Sequence, residues 1–337
     1  MTTAGTRSTR PAPGGAGLAL AVLSAATFGI SGTFASSLID AGWSPGAAVL
    51  VRIAAAALML TIPAMIQLRG RWALLRRGMG KVTAYGLIAV AGCQFFYFNA
   101  VARMPVGIAL LLDYLAVVLV VGWLWLRHGQ RPRRLTTAGT VVAIAGLVMV
   151  LNLGGPAQIS PLGVMWALLA AAASAAYFLL SATDEEPLPP IVLAWAAMCL
   201  GAAALAVLGW TGLLSMTAST GSVHFLGHRV SWLVPVLGLA LISSVIGYVA
   251  GIGAARRLGA KLASFAGMAE VLFAIGFAWL LLGQLPSPVQ FAGGAFILAG
   301  VVLVRVDELR PPPAPARKPA RSGARVLELA GRSYGGE

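Results

Sequence analysis

The sequence predicts an all-α polytopic membrane protein whose ten transmembrane helices form two inverted five-helix repeats. Of its 337 residues, 59% are hydrophobic and only 10% are charged, whereas ordinary soluble domains carry about 25% charged residues. The apolar residues form runs of about 20, separated by short polar breaks, and such runs can cross roughly 30 Å of hydrocarbon. The third observation is that one stretch of the chain occurs twice.

This duplicated stretch is residues 103–150, which aligns without a gap on residues 257–304 with 15 identities in 48 positions. A chain this rich in Ala, Val, Leu and Gly should match itself by accident at about one position in ten. The excess predicts a duplicated unit of about half the chain. The identical pairs include Trp125 and Trp279, Gly129-Gln130 and Gly283-Gln284, Ala138-Gly139 and Ala292-Gly293, and Ala145-Gly146 and Ala299-Gly300.

The polar breaks divide the chain into four predicted regions. Residues 1–14 and 306–337 are tails with too few apolar residues to pack, so both are expected to be disordered, and the second is basic. The repeats are predicted at 15–153 and 161–305. The predicted spans are 15–38, 44–67, 81–102, 105–126, 135–153, 161–181, 189–212, 230–254, 257–282 and 287–305.

The basic residues predict the orientation. With the N-terminus in the cytoplasm, 21 of the 24 Lys and Arg residues lie in cytoplasmic segments, two lie outside, and Arg52 lies within a span. Such a bias predicts that both termini lie in the cytoplasm. A five-span unit has an odd number of crossings, so its second copy enters the membrane inverted. Inverted pairs are typical of secondary transporters, which work by alternating access.

Several motifs resemble the drug/metabolite transporter superfamily, of the EamA type. They are Arg52 in the second span, the segment 95–101 running into 105–109, and Met268-Ala269-Glu270 in the ninth span. Over residues 15–305 the chain is most similar to the bacterial branch that includes the threonine/homoserine exporters. This resemblance implies a transporter that works by efflux. The turns that commonly read Gly-Glu in this family here both read Gly-Gln, at 129–130 and 283–284.

Three ionisable side chains, Arg52, Asp113 and Glu270, lie deep within predicted spans, where each costs at least about 2.5–3.5 kcal/mol. At 1.5 Å per residue, Arg52 and Asp113 lie about 12 Å below the outer surface with Gln94, and Glu270 lies about 18 Å below it. We therefore expect these four to surround a substrate cavity. An arginine could clamp a carboxylate, and an acid could hold an amine or carry a proton, which suits amino acids. The alternative is that Arg52 and Asp113 form a structural ion pair and Glu270 bonds a neighbouring helix.

Other polar and aromatic residues are further candidates for the cavity wall. Aromatic residues near span ends are alternatively anchors at the membrane interface, and Ser243-Ser244 could bond across helices or hydrate a pore. The candidates are Tyr97, Asn99, Tyr114, Tyr177, Trp195 and Tyr248.

The sequence predicts no cofactor, no metal site and no enzyme activity. His224 and His228 have no further metal ligands nearby, a phosphate-binding loop is absent, and Cys93 and Cys199 are interpreted as small buried apolar residues. Its basic residues lie between spans, so no nucleic acid is expected. The expected partners are a small-molecule substrate, the lipid bilayer and, if an acid carries them, protons. The rival hypotheses are a drug or organic-cation efflux transporter and a non-transporting membrane protein, and whether the chain forms a homodimer stays open.

Overall fold

The structure, a computed structural model, describes residues 13–116, 118–119, 134–151, 160–181 and 188–309. The described part of the first repeat contains α1 (Pro13–Gly29), α2 (Ser31–Asp40), α3 (Pro45–Leu68), α4 (Trp72–Arg77), α5 (Met79–Ala84), a π-helical segment (Tyr85–Gly92), α6 (Cys93–Val101), α7 (Val106–Asp113) and α8 (Arg134–Leu151). The described part of the second repeat contains α9 (Pro161–Ser181), α10 (Pro190–Trp210), β1 (Ser222–Phe225), β2 (His228–Ser231), α11 (Leu233–Leu237), a second π-helical segment (Gly238–Ile246), α12 (Gly247–Gly267), α13 (Ala269–Leu282) and α14 (Pro288–Leu309).

Among the described residues, five stretches of helix are long and apolar enough to cross a membrane, and they match five of the predicted spans. They are Gly15–Asp40, Pro45–Leu68, Met79–Val101, Pro190–Trp210 and Leu233–Leu258. Four further apolar helices are shorter, including Ala269–Leu282. The second half of the predicted fourth span, the Gly129-Gln130 turn and most of both predicted tails lie outside the described residues.

Helices α8 and α14 occupy equivalent positions in the duplicated sequence, and they pack against each other. A methyl group at Gly139 would lie 2.6 Å from the Gly300 carbonyl oxygen, and one at Gly146 would lie 2.6 Å from the Gly293 carbonyl oxygen. The residue number rises along one helix as it falls along the other, so the two helices are antiparallel. The last helices of the two repeats therefore run in opposite directions, as an inverted duplication requires.

The π-helical segments are also equivalent in the duplication, because a shift of 154 positions carries residues 85–92 onto 239–246. Each segment packs against the second span of the other repeat: α10 on Tyr85–Gly92, and α3 on Gly238–Ile246. π-Helical turns are rare and often occur at functional sites. Gln94 and Tyr248, each two residues beyond its π-helical segment, are therefore equivalent residues of the two repeats.

The helices of the fourth and ninth spans break at equivalent positions. Helix α7 ends at Asp113, and helix resumes at Ala116 after a turn at Tyr114. The equivalent of Tyr114 is Met268, the turn residue between α12 and α13. The boundary between the eighth and ninth spans was predicted at 254–257, but α12 continues through it. Residues 254–258 are Ala, Ala, Arg, Arg and Leu, which favour a continuous helix.

The long segment between α10 and α11 forms a β-hairpin, so the all-α prediction is incomplete. Strands β1 and β2 pair in antiparallel register, and both turn residues, Leu226 and Gly227, have positive φ, as a type I′ hairpin turn requires. Phe225 stacks on Phe34 of α2 at a centroid distance of 5.1 Å. The hairpin therefore packs on the C-terminal part of the first predicted span.

Candidate functional site

A cavity of about 100 Å³ lies where the π-helical regions and the two helix breaks meet. This volume has room for several water molecules. Seven of the predicted residues contribute to its wall, whereas Arg52, Asn99 and Trp195 do not. The lining residues are Phe28, Ser31, Ala89, Cys93, Gln94, Tyr97, Leu110, Asp113, Tyr114, Ala116, Ser174, Tyr177, Tyr248 and Glu270.

Arg52 is fully buried directly behind this wall. Its Nη1 donates to Ser31 Oγ and to Gln94 Oε1, both at 2.7 Å, and its Nε donates to Ser244 Oγ at 2.8 Å. The guanidinium also lies 5.4 Å from the centroid of the Phe98 ring. All these partners are neutral, and Nη2 has no hydrogen-bond partner among the described residues. Because a buried charge requires compensation, this cation favours an anion in the adjoining cavity.

The side chain of Gln94 is oriented by two bonds. Its Oε1 accepts from Arg52, and its Nε2 donates to the Tyr248 hydroxyl at 3.1 Å. Tyr248 in turn donates to the Ala89 carbonyl at 3.3 Å, within the first π-helical segment. Gln94 and Tyr248 are equivalent residues, so this hydrogen bond joins the two repeats at matching positions.

Asp113 is held by Ser174 and not by Arg52. The Ser174 hydroxyl lies 3.0 and 3.1 Å from the two carboxylate oxygens of Asp113 and donates to them. Cys93 Sγ lies 3.2 Å from the same hydroxyl. The hydroxyl's single hydrogen points to Asp113, so the thiol is the donor in the contact with Cys93. In this structure, the predicted alternative of an Arg52–Asp113 ion pair is therefore not formed.

Glu270 lies in the first turn of α13, across the cavity from Asp113. The Tyr114 hydroxyl lies 3.1 Å from Glu270 Oε2 and 2.6 Å from the Gly267 carbonyl oxygen. Tyr114 comes from the break in the first repeat, and Gly267 ends the helix at the break in the second. One tyrosine thus links the two breaks to an acid in the cavity wall.

Several predicted candidates lie elsewhere. The Asn99 amide donates to the Phe95 carbonyl one turn earlier, and its side-chain oxygen accepts from Arg103, so Asn99 binds its own helix. Trp195 donates to Thr61 Oγ1, which joins α10 to α3. Ser243 donates to the Thr27 carbonyl, while Ser244 accepts from Arg52.

The sequence analysis missed Phe28, Ser31 and Ser174. Serine and phenylalanine are common within apolar helices, so their types alone carry no signal. Tyr248 was only one of several aromatic candidates, but a signal was available, because shifting Gln94 by 154 positions leads directly to it.

The model of the EamA-like transporter family matches residues 15–152 and again residues 161–306. The probable terminal-alkyne amino-acid exporter of Streptantibioticus cattleyicolor is 26% identical over 232 residues, 68% of this chain and 73% of that protein. The uncharacterized transporter YwfM of Bacillus subtilis is 26% identical over 225 residues, 64% of this chain and 70% of that protein.

A solved crystal structure superposes with a TM-score of 0.57 at 22% identity, covering 88% of this chain and 99% of that one. At this identity the likeness concerns the fold alone. The two matches to one family model confirm the predicted duplication, and the resemblance to EamA-type transporters is confirmed with it. Neither relative is named as a threonine exporter, so that branch stays a prediction. The chain belongs to the EamA-like transporter family.

Proposed function

We propose that this protein is a secondary active transporter of the bacterial inner membrane that exports amino acids or similar small polar metabolites by alternating access. One observation carries the proposal: a single cavity at the junction of the repeats has two carboxyl groups in its wall and an uncompensated cation behind it. Asp113 would receive an ammonium group. Ser31 and Gln94, polarised by Arg52, would receive a carboxylate. The name of the Streptantibioticus relative supports amino acids and export.

The proposed topology has ten spans and two cytoplasmic termini. It rests on the bias of 21 basic residues against two and on the antiparallel packing of α8 and α14. In this orientation, Asp113 lies about 12 Å below the outer surface, Glu270 lies near the middle of the membrane, and Ser174 lies nearer the cytoplasmic end of its span. On the outer side, Gly32 has no room for a methyl group beside Val106 and Tyr97. On the same side, the Val106 amide at the start of α7 donates to Gln284 Oε1 at 3.2 Å, which links α7 to the turn after α13. We therefore assign this conformation to the inward-facing state.

One observation favours a second candidate, a drug or organic-cation efflux transporter. Both acids contribute to the cavity wall together with Phe28, Tyr177 and Tyr248, whereas Arg52 lies behind it. Acids and aromatic rings together are suited to a cation. Arg52 would then have a structural role only.

Counterflow in liposomes distinguishes the two candidates. Liposomes that contain the purified protein are loaded with a mixture of unlabelled amino acids. Their uptake of a labelled amino acid is compared with their uptake of the labelled amine that its decarboxylation gives. If Arg52 attracts the carboxylate, loss of that group should reduce exchange by about 10- to 100-fold, the value of a charge-assisted hydrogen bond. Equal or faster exchange of the amine would favour the cation transporter. A protein that exchanges neither would contradict both.

Cys93 provides a native probe of the inward-facing cavity. It lies in the cavity wall, and Cys199, the other cysteine, does not. In a Cys199→Ser variant, we expect a small membrane-impermeant thiol reagent to modify Cys93 faster from the cytoplasmic side than from the outside. Transported substrate should protect it. Labelling from the outer side alone, measured in vesicles of known orientation, would contradict the assigned state.

A further inference from the structure

The Tyr114 hydroxyl has one hydrogen and two acceptors, Gly267 O at 2.6 Å and Glu270 Oε2 at 3.1 Å. A phenolic oxygen can donate only once, although it can accept as well. With the hydrogen on the shorter contact, to Gly267, a hydrogen bond between Tyr114 and Glu270 requires a proton on Glu270. Ionised Glu270 instead would compete with the Gly267 carbonyl for the same hydrogen.

The Gly267 carbonyl depends on this donor because the helix is broken beside it. In a continuous α-helix it would accept from the Val271 amide, but that amide donates to the Met268 carbonyl at 3.2 Å. A backbone carbonyl within a membrane protein must find an internal partner. Tyr114 thus stabilises the break at Met268 only while its hydrogen stays on Gly267.

The charges of the site agree with a protonated Glu270. The titratable or charged groups that face Glu270 are Asp113 and Tyr114 at the first break, Cys93 and Tyr97 on α6, and Arg52 on α3. Helix α1, which also packs on α13, contributes none. With Asp113 ionised, the cavity wall already carries one negative charge, and a second carboxylate at Glu270 would add another at membrane depth, which is unfavourable.

We propose that Glu270 is the proton carrier of the transport cycle and that Tyr114 converts its protonation into a change at the helix break. When Glu270 releases its proton to cavity water, the carboxylate takes the Tyr114 hydrogen, and Gly267 loses its donor. The break at Met268 then rearranges, which moves α13 relative to α12. When a proton returns to Glu270, Tyr114 returns to Gly267. Tyr114 acts here as a positioning residue. This inference rests on the proposed function, since it names the ion that the transporter exchanges for substrate.

The first test needs no substrate. In the Cys199→Ser background, the rate of Cys93 modification is measured from about pH 5 to 9 with Glu270 and with Glu270→Gln, which mimics the protonated acid. Because Cys93 faces Glu270, the charge of the acid also acts directly on the thiol, so the same pair of rates is measured in the Tyr114→Phe background, which keeps that charge but lacks the proposed switch and should show a smaller difference. We expect the rates to agree at low pH and to differ by about threefold or more at high pH, a modest shift between two conformations. A ratio that stays constant across the range would overturn the proposal.

The second test measures transport in liposomes. In Glu270→Gln, we expect accumulation driven by a pH gradient to fall by at least about 90%, whereas counterflow should fall by far less, because exchange needs no net proton movement. Tyr114→Phe should flatten the pH profile of counterflow, whereas Tyr85→Phe, a buried tyrosine outside the cavity wall, should preserve its shape. A Glu270→Gln protein that still accumulates substrate from a pH gradient would refute the proton role. Absence of counterflow in the unaltered protein would instead refute the proposed function, while the labelling ratio would still test the switch.

Discussion

Replacing Gln94 with glutamate is expected to raise the half-saturating concentration for amino-acid counterflow by about 100-fold, because charge-assisted hydrogen bonds contribute about 1.5–3 kcal/mol. The new carboxylate would take the place of Oε1, 2.7 Å from Arg52 Nη1. It would supply the counter-charge that the structure otherwise leaves to the substrate. The protein should remain folded, because the carboxylate can accept from the Tyr248 hydroxyl that now accepts from Gln94.

Two control variants separate this charge effect from damage to the Arg52 cluster. Ser244→Ala removes the partner of Nε but adds no charge, so it should change the half-saturating concentration by only a few-fold. Arg52→Lys keeps the charge but cannot reach Ser31, Gln94 and Ser244 together in the fork geometry of a guanidinium. It should lose transport and stability. If Gln94→Glu bound amino acids as well as the unaltered protein, Arg52 would have only a structural role.

The broad architecture could be predicted because it depends on the hydropathy, charge and repetition of residues, which can be read along the chain. Long apolar runs predicted the five clear spans, including Pro45–Leu68 and Pro190–Trp210. The gapless repeat aligns Gly139 and Gly146 with Gly293 and Gly300. The alignment could not reveal that these glycines would be in contact where α8 crosses α14. Buried ionisable residues are rare enough that Arg52, Asp113 and Glu270 stood out from composition alone.

The details of the site could not be predicted because they depend on packing. The packing of the helices decides whether Arg52 bonds Asp113 or three neutral side chains. Ser31 and Ser174 become site residues only because this packing brings them to Arg52 and Asp113. The breaks at Tyr114 and Met268 contain no proline, so no local signal marked them. The hairpin was missed for a different reason: its strands have only four residues each, too few for an alternating pattern to be recognised.

Replacing Gly146 with alanine is expected to destabilise the protein by about 3 kcal/mol, the upper part of the usual range for an overpacked site. The added methyl would lie 2.6 Å from both the Gly293 carbonyl oxygen and the Ile297 amide nitrogen. These are backbone atoms, so neither can move aside by changing a rotamer, and α8 and α14 would have to separate. Thermal unfolding in detergent should show a decrease of roughly 5–10 °C.

Gly276→Ala in α13 is the matched control, because nothing lies within 4 Å of a methyl group there. Alanine favours a helix over glycine by about 1 kcal/mol, so this variant should be neutral or slightly more stable. The same substitution thus has opposite expected signs at two helical glycines. A Gly146→Ala protein as stable as Gly276→Ala would show that α8 and α14 are not closely packed.

The position of this crossing also predicts what Gly146→Ala leaves unchanged. The repeat shift carries Gly139 onto Gly293 and Gly146 onto Gly300, so the contact of Gly139 with Gly300 maps onto the contact of Gly146 with Gly293. If the repeats exchange conformations during alternating access, a crossing that maps onto itself can stay fixed while the cavity changes sides. Folded Gly146→Ala protein should therefore keep the half-saturating concentration of the unaltered transporter, in contrast to Gln94→Glu. A raised value in correctly folded protein would mean that α8 and α14 move during the cycle.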